Sequence, residues 1–201
     1  IGAAVGEPYL VKDHLFRIFN APAIYGDKRD FEYTKPQGYE PLVKFLEDKH
    51  GAPVVISNGA KQAIGSLFYG LRQNKIERIY MKTPYWSLFP PLIQAHGLQQ
   101  VNHPYSYFDK QSAHLLVAPN NPDGLVDLDK CKFQDTKYTI HDAAYYNSIY
   151  MPSGSQLQPV GDVQVFTCSK MFGLSQLRVG YSVFYNTDLY NAVLEYMETM
   201  T

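Results

Sequence analysis

One lysine of this chain has neighbours suited to covalent chemistry. Lys170 lies within Thr167-Cys168-Ser169-Lys170-Met171-Phe172-Gly173-Leu174, and Leu177-Arg178-Val179-Gly180-Tyr181 follows shortly after. A lysine at a strand-to-loop exit, partly desolvated and beside other cations, is deprotonated often enough to attack an aldehyde. The hydroxyls of Thr167 and Ser169, with the guanidinium of Arg178, are donors suited to one phosphate, because arginine's planar fork matches phosphate geometry. A second phosphate seat is written into Ser57-Asn58-Gly59-Ala60-Lys61. There a glycine-bearing turn into a helix presents free backbone N–H groups and the positive end of the helix dipole. Three further strings complete the set. Asp142, in His141-Asp142-Ala143-Ala144-Tyr145-Tyr146, follows an apolar run, and Asn121 sits in the tight turn Ala118-Pro119-Asn120-Asn121-Pro122-Asp123-Gly124. Trp86, the only tryptophan, follows Pro84-Tyr85.

These residues need a scaffold that brings loop ends together. From about residue 54 onward, short apolar or β-branched runs alternate with helical patterns, which predicts a sheet with helices on both faces. Strands are expected over 54–57, 78–82, 98–103, 114–118, 137–141, 163–168 and 179–184. Helices are expected over 39–50 and 61–71, each with an apolar stripe at helical spacing, and from 188 to 200. The motif residues then fall at strand exits, where open α/β sheets bind ligands. Residues 1–35, rich in Pro, Gly and aromatics, read as an arm, and 36–201 as one large domain.

Taken in order, the strings resemble the motifs of fold-type I aminotransferases, enzymes that use pyridoxal 5'-phosphate (PLP). The resemblance runs from Gly6-Glu7-Pro8 to the final helix and implies a three-layer α/β sandwich around a mainly parallel seven-stranded sheet. It implies that Lys170 forms the Schiff base with PLP and that Arg178, Thr167, Ser169, Ala60 and Lys61 hold the phosphate. Asp142 would lie against the pyridine nitrogen and keep it protonated, so that the ring acts as an electron sink. Tyr145 and Asn121 would donate to the phenolate oxygen, and Trp86 would stack on the ring. Tyr33, in Tyr33-Thr34-Lys35-Pro36-Gln37-Gly38, resembles an element that reaches across a two-fold interface to the phosphate of the partner, which implies a homodimer. Asp123 replaces the threonine usual in aminotransferases and is shared with the branch containing plant alliinases and tryptophan aminotransferases.

The resemblance leaves three functions open: transfer of an amino group from an amino acid to a 2-oxo acid, which is the first reading; C–S lysis or decarboxylation on the same core; and a catalytically silent PLP-binding domain. Relatives continue into a smaller C-terminal domain with an arginine for the substrate carboxylate, and no residue here matches it. Arg17, Arg29 and Arg72 read as surface charges. The formal charge of −1 over 201 residues, with scattered Lys and Arg, argues against nucleic acid or an anionic membrane as partner. Cys131 and Cys168 form neither a disulfide framework nor a metal spacing. With no bilayer-length apolar run and no secretory layout at the start, a cytoplasmic setting is expected.

Overall fold

The computed structural model describes residues 33–102, 110–126, 136–147, 150–151 and 158–200. Most of the expected arm, including Gly6-Glu7-Pro8, Arg17 and Arg29, lies outside them.

The first element is helix α1, Glu40–His50. Pro41 lies in its first turn, and Gly51 ends it in the left-handed region (φ 65°), donating its N–H to Glu47 O at 2.7 Å. Strand β1, Val54–Ser57, leads into α2, Gly59–Gln73. Then follow β2 (Arg78–Tyr80), α3 (Phe89–Ala95), β3 (Gln99–Val101), β4 (Ser112–Val117), β5 (Tyr138–Asp142) and β6 (Val163–Thr167). A single helical turn, α4 (Cys168–Met171), and a 3-10 turn (Ser175–Leu177) connect β6 to β7, Gly180–Phe184, and α5, Thr187–Met200, closes the order.

The seven strands form one sheet in the order β1-β7-β6-β5-β4-β2-β3. All neighbours are parallel except β7, which runs against both β1 and β6. The expected mainly parallel seven-stranded α/β sheet is therefore present, and each strand overlaps its expected range. Helix α3 was not among the expected elements, and Pro90 and Pro91 stand at its start. They occupy the first turn, where a missing N–H costs nothing.

Strand alternation divides the sheet's two faces. On one, Val55, Ile79, Ile140, Val163 and Val165 pack against α2 through Ile64, Leu67, Phe68 and Leu71, and against α5 through Leu189 and Val193. On the other, Val54, Phe166, Tyr181 and Val183 pack with Tyr146 and with Leu46 of α1. Covering helices on both faces explain why the central strands are almost wholly buried.

Candidate active site

Strands β1, β2, β4, β5 and β6 all point their carboxyl ends to one edge of the sheet, and because β7 runs the other way it begins there. At that edge lies a cavity of about 400 Å³. It is lined by Ala60 and Lys61 at the head of α2, Trp86 after β2, Asn121 after β4 and Asp142 at the end of β5. Tyr145, Thr167, Ser169, Lys170 and Arg178 complete the set of expected residues around it. Tyr33 does not line the cavity and is 99 % exposed.

The lysine is positioned by its own short helix. Thr167 caps that helix by accepting the Ser169 amide at Oγ1 (3.2 Å), and the Lys170 carbonyl accepts the Tyr150 hydroxyl at 3.3 Å. Lys170 Nζ lies 5.8 Å from the centre of the Tyr145 ring. Burial raises the Tyr145 phenol above its ordinary value, with smaller contributions from Tyr150 and Asp142.

Arg178 closes the other side. Its φ of 52° is in the left-handed region, uncommon for a residue with a Cβ. The conformation directs Nη1 to Ser169 Oγ (3.3 Å) and the Ser175 carbonyl (3.1 Å), and Nη2 to the Asn58 carbonyl (3.5 Å). Two glycines make room for this packing. A Cβ on Gly59, itself at φ +74°, would stand 2.4 Å from Arg178 Nη2, and a Cβ on Gly180 would stand 2.7 Å from the Gly59 carbonyl carbon. The head of α2, the guanidinium and the start of β7 are thus nested, leaving the first amides of α2 without intrahelical acceptors.

Asp142 is buried on the α2 side of the sheet. Its Oδ1 accepts the Ala144 amide at 3.1 Å, and burial pushes its carboxyl up to about 6 against the lowering effect of that bond. In the turn after β4, Asn121 lines the cavity and Asn120 is structural. Asn120 Nδ2 donates to Pro84 O and to Asp123 Oδ1, both at 2.9 Å, so the turn is tied to the loop carrying Trp86. Asp123 Oδ1 also accepts the Leu125 amide at 3.0 Å, which gives the acidic residue a role in holding the turn.

Sequence reasoning did not single out Ile64, Val117, Ala144 or Ser175, which also line the cavity. Ile64 stands one helical turn beyond Ala60, a spacing that could have placed it; Ser175 carries no comparable signal. Arg72, expected as a surface charge, is exposed, and its Nη1 donates to Ile76 O at 3.4 Å. Among the described residues, no group of three or more His, Cys, Asp or Glu could hold a metal, and no helix is long and apolar enough to cross a membrane.

Comparison with known proteins agrees with this architecture. The family model described as "Allinase" matches residues 46–201. Tryptophan aminotransferase-related protein 2 of Arabidopsis thaliana is 28% identical over 156 residues, 74% of this chain and 34% of that protein. An alliin lyase of Allium cepa var. aggregatum is 26% identical over 165 residues, 74% of this chain and 35% of that protein. The chain therefore spans about a third of the length of these relatives. Among solved structures, aspartate aminotransferase from Thermus thermophilus with maleate superposes with a TM-score of 0.70 at 18% identity, over 96% of this chain and 57% of that one. With a family model matched over most of its length and a sheet of this topology, the chain belongs to the alliinase family, within the fold-type I PLP-dependent aminotransferase superfamily.

Proposed function

We propose that this chain is the PLP-binding core of an aminotransferase that moves an amino group from an amino acid to a 2-oxo acid. The observation that carries the reading is the convergence, in one cavity, of an amine (Lys170), a buried carboxylate (Asp142) and a guanidinium seated at a helix head (Arg178). The residues present fit PLP. A dianionic phosphate suits the Gly59 cradle, with Arg178, Ser169, Lys61 and the opening amides of α2 as donors. A protonated ring nitrogen suits Asp142, since a cation beside a buried carboxylate favours its ionised form. Asn121 and Tyr145 are suited to a phenolate, and Trp86 offers an aromatic face.

When bound, PLP supplies an aldehyde that bonds a primary amine and a ring that draws off the electrons of a broken Cα bond. This chain's residues do the rest. Arg178 and the head of α2 anchor the phosphate, while Asp142 holds the proton on the ring nitrogen. Lys170 Nζ, once displaced from the cofactor, would accept the proton from the substrate Cα and give it up two atoms along, at the carbon that began as the aldehyde. The Schiff-base role belongs to Lys170 because it alone among the cavity lysines is set on the turn after β6; Lys61, at the head of α2, serves the phosphate. The reading includes a homodimer in which Tyr33 contributes to the phosphate site of the other subunit, and its exposure leaves it available for that contact.

A second reading, C–S lysis, is favoured by the alliinase family match and by the similarity to an alliin lyase. The test is to load the purified protein with PLP and present amino acids, including S-alkylcysteine sulfoxides, with and without a 2-oxo acid. Keto-acid product that requires the acceptor supports amino transfer. Pyruvate and ammonia formed without an acceptor would establish lysis, and an absorbance of bound PLP indifferent to every amino acid would establish a silent domain.

A further inference from the structure

We propose that His141 is a positioning residue, whose imidazole takes over a carbonyl of the β4–β5 ladder so that the Ala144 amide is released to hold the Asp142 carboxylate. The significance for catalysis rests on the role proposed for Asp142, but the hydrogen bonding itself does not. In the parallel pairing of these strands, Val117 is opposite Asp142, and continuing the register would pair Ala118 with Ala143. Such a pair needs two bonds, from the Ala118 N–H to Asp142 O and from the Ala144 N–H to Ala118 O. The first is present but stretched to 3.4 Å. In place of the second, the Ala144 N–H turns to Asp142 Oδ1 at 3.1 Å. The abandoned Ala118 carbonyl is bonded by His141 Nε2 at 2.8 Å.

The substitution is enforced from behind. His141 is fully buried on the face opposite Asp142, with its ring edge-on to Tyr146 at 4.9 Å. Its Nδ1 lies 3.0 Å from Gln164 Nε2. Gln164 Nε2 also donates to the Gln158 carbonyl at 3.3 Å, and Gln164 Oε1 accepts the Tyr185 hydroxyl at 3.2 Å, so the amide has one workable orientation. A donor at Nδ1 and a carbonyl at Nε2 both select the neutral imidazole with its proton on Nε2. Burial lowers the imidazole to about 4 and keeps it in that state near neutrality. One side chain thus fixes both ends of the gap, because Ala118 opens the turn that carries Asn121 while Asp142 is its own chain neighbour.

The test is the titration of the Asp142 carboxyl, followed by carbon-13 NMR in the cofactor-free chain. In His141→Phe the ring contact with Tyr146 is retained but the donor is lost. The Ala144 amide then returns to Ala118, and Asp142, deprived of a charge-assisted bond, should titrate about one pH unit higher. His141→Gln carries an amide donor and a carbonyl acceptor at similar reach, and should restore the wild-type midpoint. Both variants raised, or neither, would overturn the proposal. If His141→Phe does not fold, the tautomer in the wild-type chain decides: a long-range proton–nitrogen-15 spectrum should show the proton on Nε2, and a proton on Nδ1 would be equally fatal. Because every measurement is made without PLP, failure here is distinguishable from failure of the aminotransferase reading.

Discussion

Replacing Gly180 by Ala should damage cofactor binding more than folding. The added Cβ would lie 2.7 Å from the Gly59 carbonyl carbon and 2.9 Å from the Ala60 nitrogen, all backbone atoms that no rotamer change can move. Carbon contacts are comfortable at about 3.5–4.0 Å, so the two segments must separate by roughly 0.8 Å or more. Gly180 is absent from the positive-φ positions, so the penalty is steric. Overpacking of this kind costs about 1–3 kcal/mol. Strand β7 is hydrogen-bonded on both sides and cannot retreat, whereas the head of α2 borders the cavity and can lift. Without cofactor, the lifted turn relieves most of the strain. With cofactor, the turn must return to meet the phosphate, and the cost is charged to binding. PLP affinity, measured by fluorescence titration, should therefore fall about fivefold to over a hundredfold. The thermal midpoint of the cofactor-free protein should drop by only a few degrees, since about 1 kcal/mol corresponds to roughly 2–4 °C at this size. Unchanged affinity would refute the nesting argument, and a large loss of stability with unchanged affinity would show that the strand yields.

Lys170→Ala should abolish the borohydride-fixed adduct with PLP; peptide mapping that finds the adduct on Lys61 or Lys82 in the wild-type chain would sink the assignment. Asp142→Ala should impair turnover far more than PLP retention, and Arg178→Ala the reverse, read from kcat beside the PLP Kd; equal losses in both would contradict the division of roles. Asp142→Asn should stabilise the cofactor-free chain at pH 7. The folded carboxyl is raised to about 6 from an unfolded value near 4, so the folded state binds the extra proton between these limits and stability falls as pH rises through them, by up to about 3 kcal/mol. The buried His114 and His141, lowered to about 4, give the opposite slope in the same window, so the variant and wild-type denaturation curves must be compared by difference. The gap should close below pH 4, and a variant no more stable at pH 7 would mean that the carboxylate is better solvated than its burial indicates.

Most strands were legible because they are buried and read as short β-branched or apolar runs, such as Val54-Val55-Ile56 in β1. Site residues were legible because a parallel sheet delivers every loop after a strand to one edge, so strings separated by a hundred residues could be assigned to one place. What escaped notice depends on direction and on partners distant in sequence. Nothing in the composition of β7 says that it runs against its neighbours, since a strand's apolar content does not encode its polarity. The left-handed φ of Arg178 is likewise invisible, because arginine is not a residue that advertises that conformation. In His141-Asp142 the motif singled out Asp142 and gave no part to His141, which alternation sends to the opposite face of the sheet. Asn121 was singled out in the same way, whereas the part played by Asn120 depends on its contact with Pro84, far back in the chain.

The place of β7 bears on how the protein is made. Strand β1 leaves the ribosome long before β7, its only neighbour in the sheet among the described residues, which begins at Gly180. At roughly 5–20 residues per second, the apolar edge Val54–Ser57 waits on the order of ten seconds for its neighbour. Throughout that interval β1 lacks its neighbour, and β6, once made, adds a second unpaired edge at the gap that β7 will fill. A nascent chain halted before Gly180 should consequently recruit chaperones or aggregate, and one extended past Phe184 should not, with the last strand acting as a keystone that closes the sheet in a single step.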